Sequence, residues 1–187
     1  LSMEPDFAWA LASRADALRM LERYERALAD FSRAIELDPD YQWALARRGE
    51  AYRLTADYPR ALADLNRAVE LAPGDSYPYA SRGQVYREMG ELDKALADFD
   101  QAIEIDPRSL LGHSILGKVR LYLRDGQRAV AEAGSACELD PNSAEARMFL
   151  SFVLAAVGRG TDALRNIKTA MLLQPHPSSY YFETLGL

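Results

Sequence analysis

Residues 76–109 read SYPYASRGQVYREMGELDKALADFDQAIEIDPRS. Two stretches inside this segment, PYASRGQVYREMG (78–90) and DKALADFDQAIEIDP (93–107), carry small or apolar residues at i, i+3, i+4 and i+7. That is the stripe of a helix with one buried face. Gly90 falls between them, where the first helix must stop and a left-handed residue is wanted. Pro107 ends the second. The segment therefore predicts a helix A, a tight turn and a helix B.

The same unit recurs on both sides. Pro39, Pro73, Pro107, Pro141 and Pro175 are spaced 34 residues apart. Ala27, Ala61, Ala95, Ala129 and Ala163 keep that step, as do Ala34, Ala68, Ala102, Ala136 and Ala170, and Gly49, Gly83 and Gly117. Several residue types in one phase define five units, 8–41, 42–75, 76–109, 110–143 and 144–177. Residues 1–7 read as an N-terminal extension or cloning remnant, with Leu1 and Ser2 ahead of Met3. Residues 178–187, SSYYFETLGL, read as the start of a capping helix or of a truncated sixth repeat.

The spacing has a packing logic. Glycine on helix A and alanine on helix B let two antiparallel helices approach. Bulky partners such as Phe31, Tyr52, Tyr86 and Phe99 then fill the gaps. One pair cannot bury its own apolar surface, so neighbours stack and a continuous core is expected. Pro59 suits the first turn of a helix B, and Ser109 and Ser143 suit helix caps. The fourth unit is thinner. Ala133 stands where Phe31, Leu65, Phe99 and Ile167 stand, Gly134 follows it, and Arg120 replaces tyrosine. Arg120 is expected to snorkel outward, and either the array flexes there or a partner side chain, or Leu121 and Tyr122 turning inward, fills the space.

Leu45, Gly49, Tyr52, Ala61, Leu65, Ala68 and Pro73 in the second unit, and Tyr79, Gly83, Tyr86, Ala95, Phe99, Ala102 and Pro107 in the third, resemble the tetratricopeptide repeat (TPR) pattern. Arg14, Arg48 and Arg82 depart from it, standing at a leucine position. The resemblance covers residues 8–177. It implies an all-α fold, a right-handed superhelical solenoid of antiparallel helix pairs. It also implies a concave groove, lined by the A helices, that receives a peptide or helix of a partner. Some co-chaperones of this family grip a C-terminal carboxylate with Lys, Asn and Arg on their A helices. The matching positions here hold Ala12, Asp16, Arg47, Tyr77 and Ser81, so the resemblance does not extend to that clamp.

Composition narrows the function. A net charge of −6 argues against general nucleic-acid binding, and no apolar run is long enough to span a membrane. The single cysteine, Cys137, allows no internal disulfide and suits a cytoplasmic protein; abundant arginine and alanine suit a GC-rich bacterial genome. His113, His176 and Cys137 are too dispersed for a metal site, and carboxylates such as those of ELDPD follow the repeat as solvated helix ends. No cofactor, metal or catalytic residue is expected, and the chain is not expected to be an enzyme.

Helical geometry places one set of residues opposite the pattern positions. In the first three units these are Trp9, Asp16 and Arg19, then Trp43, Arg47, Glu50 and Arg53, then Tyr77, Gln84 and Arg87. In the last two they are Lys118 and Tyr122, then Met148 and Phe152 with Phe149 adjacent. This groove predicts a protein or peptide partner with acidic residues and apolar anchors. The alternatives are a structural module that self-associates through the solenoid ends, or a regulatory arm of a larger signalling enzyme or transcription regulator.

Overall fold

The computed structural model describes residues 5–108 and 110–174, and among these the elements are all helical. They run α1 (Pro5–Met20), α2 (Tyr24–Leu37), α3 (Gln42–Leu54), α4 (Tyr58–Leu71), α5 (Ser76–Glu88), α6 (Leu92–Ile105), α7 (Leu110–Tyr122), α8 (Gly126–Leu139), α9 (Ala144–Ala156) and α10 (Gly160–Leu173). Odd-numbered helices are the A members and even-numbered helices the B members, each packed on its partner. The caps expected at Ser109 and the segment 178–187 lie outside the described residues, as does His176.

Punctuation follows local chemistry. Ser143 accepts from the Ala146 N–H, and Asp57, Asp75 and Asp125 cap α4, α5 and α8 in the same way. Asp38, Ala72 and Asp140, each just before a proline, leave the helical conformation and close the preceding helix, Asp38 and Asp140 with extended backbone. The turn from A to B has one geometry in every pair. Leu18 O accepts from Arg23 N and Arg19 O from Glu22 N, and the same two bonds recur one repeat later at Tyr52 and Arg53. This double closure needs a left-handed residue at its centre. Gly90 and Gly158 supply it at φ +80° and +81°, but Glu22, Ala56 and Arg124 hold φ +58° to +59° without being glycine.

The close approach of A to B is also real. A Cβ on Gly49 would lie 2.7 Å from Leu65 Cγ, and one on Gly83 would lie 2.8 Å from Phe99 Cε1. Ala27, Ala61, Ala95 and Ala129 are fully buried opposite. The fourth pair solves the problem differently. A Cβ on Gly117 would meet Phe149 Cζ at 2.8 Å, so a ring from α9 fills the space that Ala133 leaves. Arg120 does not snorkel outward as expected; it is 8% exposed, with Nε 3.6 Å from the Glu132 carboxylate. Acidic groups from α8 and its N-terminal turn, Glu132 and Asp125, make that burial tolerable.

The chain divides into two compact units, the first ending at Ile105 and the second beginning at Asp106. In the first, α3 touches both α1 and α5, so three A helices share a face. Its core runs through Leu11, Ala15, Phe31 and Ala44, then Leu45 and Ala68, then Leu65 and Val85. In the second, Ala129, Ala133, Phe149 and Val153 form one cluster, and Ala136, Cys137 and Ala146 another.

Candidate functional site

Of the residues expected on the groove in the first unit, Trp43, Arg47 and Tyr77 come together across α3 and α5. Trp9 is 64% exposed, whereas Trp43 is half-buried, stacked on Tyr41 with ring centroids 6.0 Å apart and edge-on to Phe31. Arg47 lies between two rings, its Cζ 5.5 Å from the Trp43 centroid and 4.2 Å from that of Tyr77. Its Nη1 donates to Tyr77 Oη at 3.0 Å. Burial pushes the Tyr77 phenol above the usual tyrosine range, and the nearby Arg47 charge works against that shift. Gln84 is half-buried about two turns further along α5.

The other charges of this face are largely matched. Arg19 donates to Asp16 at 2.8 Å. Arg53 donates to both oxygens of Glu50, at 2.9 and 2.8 Å, and to Glu88 on α5, all of which hold its guanidinium protonated. Arg87 is exposed and reaches Glu88 at 3.4 Å. Pairing of this kind lowers the free charge that the arginine row offers to a partner.

The residues expected in the second unit divide. Lys118 is exposed, with Nζ 5.8 Å from the Phe149 ring centroid, and Tyr122 is 83% exposed. Met148 is half-buried. Phe149 is not a groove residue: it is 8% exposed and belongs to the core beside Ala129 and Ala133. Phe152 packs against that same core. The cause is the small side chain of Ala133, which draws the aromatic of the next helix inward.

Sequence reasoning missed a set of ion pairs. Arg14 binds both oxygens of Asp30, Arg48 those of Asp64 and Arg82 those of Asp98, at 2.6–2.8 Å. Arg48 also donates to Ser32, and Arg82 to Asn66, on the preceding B helix. The signal was present, since each arginine recurs in step 34 and its aspartate lies 16 residues on. In the fourth repeat Leu116 takes the arginine position and Glu132 the acidic one. There His113 Nδ1 meets Glu132 Oε2 at 2.8 Å, and its Nε2 meets the Pro107 carbonyl at 3.1 Å. His113 is thus a buried, bonded histidine. Burial likewise raises the Cys137 thiol above its ordinary range. No cluster of His, Cys, Asp or Glu able to hold a metal occurs among the described residues, and none of their helices is long and apolar enough to cross a membrane.

Family models of the tetratricopeptide repeat match residues 8–41 and 49–133. The chain is a tetratricopeptide repeat protein. It is similar to the solved structure of TTC0263, a thermophilic TPR protein of Thermus thermophilus, at 24% identity and TM-score 0.77, covering 96% of this chain and 100% of that one. It also resembles YrrB, described as a TPR protein with an unusual peptide-binding site, at 21% identity and TM-score 0.70, with 95% and 91% covered. MamA aligns at 16% identity and TM-score 0.74 over 92% of this TPR chain and 94% of its own. No curated protein sequence matches significantly. At these identities the likeness concerns the fold, an all-α TPR solenoid.

Proposed function

We propose that this TPR protein is a protein-interaction scaffold, and that the face formed by α1, α3 and α5 receives a segment of its partner. The observation that carries the reading is the aromatic and arginine surface of Trp9, Trp43, Arg47 and Tyr77, whose residues recur one per A helix or lie next to that row. Trp9 is largely solvated, and Trp43 and Tyr77 are half-buried with their ring surfaces beside a guanidinium. Aromatic and arginine side chains dominate the energetics of binding interfaces because they bring large rigid area and directed donors. The peptide-binding site named for YrrB supports the same reading by analogy of fold.

The partner segment is expected to carry apolar anchors for the rings and an acidic group for the arginines. Immobilised wild-type protein and a Trp9→Ala/Trp43→Ala variant, matched for helical content by circular dichroism, should differ in retention of a natural partner. Loss of at least about tenfold in affinity is expected from the two truncations. Unchanged retention would move the interface off this face.

A further inference from the structure

Four arginines stand on the face of the first unit, and their partners differ. Arg19 donates to Asp16, Arg53 to Glu50 and Glu88, and Arg87 approaches Glu88. Arg47 forms no ion pair with a carboxylate among the described residues; its hydrogen bond goes to the neutral Tyr77 hydroxyl. Its Nε is buried with no acceptor. Among the described residues the carboxylates of Asp16, Glu50 and Glu88 pair with Arg19, Arg53 and Arg87, and none of the three bonds Arg47.

A half-buried cation with unused donors is costly to keep without a counter-charge. Here the cost is lowered by the faces of Trp43 and Tyr77, which attract a cation electrostatically and hold the guanidinium plane in place. With Nη1 committed to Tyr77 and Nε buried, Nη2 is the terminal donor left for an approaching anion. A carboxylate would supply the counter-charge that Arg47 does not find among the described residues.

We propose that Arg47 is the receptor for one side-chain carboxylate of the partner, an internal glutamate or aspartate whose aliphatic stem lies along Trp43. This rests on the reading that the α1, α3 and α5 face receives the partner. It differs from capture of a chain terminus, which needs several converging donors: Ala12 carries none, Asp16 is itself an acid and Ser81 is buried.

The test uses a synthetic library of C-terminally amidated peptides, each with one glutamate among aromatic and aliphatic residues, and a twin library with glutamine in its place. Binding to the full chain is read by fluorescence anisotropy. The best glutamate peptides should bind about tenfold tighter than their glutamine twins. Arg47→Gln should erase that difference while leaving the glutamine twins unchanged, and Arg47→Lys, which keeps the charge but not the planar stack, should restore part of it. Thermal melting of each variant checks folding. A library without a glutamate preference, or a preference that survives Arg47→Gln, overturns the proposal. So does tighter binding of peptides with a free C-terminus or of phosphoserine twins. If Trp43→Ala abolishes binding while Arg47→Gln leaves the preference intact, the face stands and the role of Arg47 falls. If neither variant changes binding, the face itself is wrong.

Discussion

At Arg48 the guanidinium spans from its own repeat to the preceding one, holding both oxygens of Asp64 and the Ser32 hydroxyl. Asp64 and Asp98 are among the buried polar residues, so each sits in a site where an unpaired partner would be poorly solvated. Asp64→Ala should therefore cost about 2–3 kcal/mol in urea unfolding, because it strands a half-buried cation. Asp30→Ala should cost clearly less, since Arg14 is solvated and water replaces the lost carboxylate. Equal losses would mean that the pairs act through helix geometry rather than through burial. These arginines illustrate what the sequence conceals. Each stood out as a departure from the apolar pattern, and a pattern built on apolar residues has no place for a partner 16 residues away on another helix.

At the scale of the element, the turns between A and B were legible where glycine marked them and silent elsewhere. Gly90 and Gly158 announce a left-handed residue, but Glu22, Ala56 and Arg124 adopt the same conformation under the constraint of two backbone hydrogen bonds. The 34-residue step would have found them, because all five stand in one register. A Cβ in the left-handed region crowds the carbonyl oxygen and costs roughly 1–2 kcal/mol. Ala56→Gly should thus stabilise the protein, by about 1 kcal/mol after the added flexibility of the unfolded chain is counted. Gly90→Ala should destabilise it by a similar amount. Nothing lies within 4 Å of a Cβ built at Gly90, so no steric clash would confuse the measurement. Thermal melting of the two variants with opposite signs is the expected result. A loss of stability in both would show that the turn energy resides in side-chain contacts.

At the scale of the molecule, the repeat made the helix pairs readable and left their higher grouping hidden. Composition and period speak of one unit at a time. The second unit opens with the fourth repeat, and that repeat breaks step with the first three. Leu116 stands in place of Arg48 and Arg82, and Ala133 in place of Leu65 and Phe99. Phe149 lies next to the groove positions in sequence, but the space beside Gly117 and Ala133 offers an aromatic ring more burial than the surface does.

That exchange can be tested directly. If the ring of Phe149 is what completes the core of α7, α8 and α9, then Phe149→Ala should open a cavity against Gly117 and cost about 3–5 kcal/mol. The loss should be local to the second unit, since the first is separately compact and holds its own clusters around Phe31 and Leu65. Hydrogen exchange followed by mass spectrometry resolves the two. Amides of α7, α8 and α9 should lose protection in the variant, while those of α1 to α6 keep theirs. A compensating Ala133→Phe in the same background should recover part of the protection, because it returns a large ring to the position that Phe99 occupies in the third repeat. Uniform loss across α1 to α10 would mean that the array unfolds as one cooperative body. Unchanged protection in α7 and α8 would mean that another side chain supports Gly117, and that the thin core expected from Ala133 carries no weight.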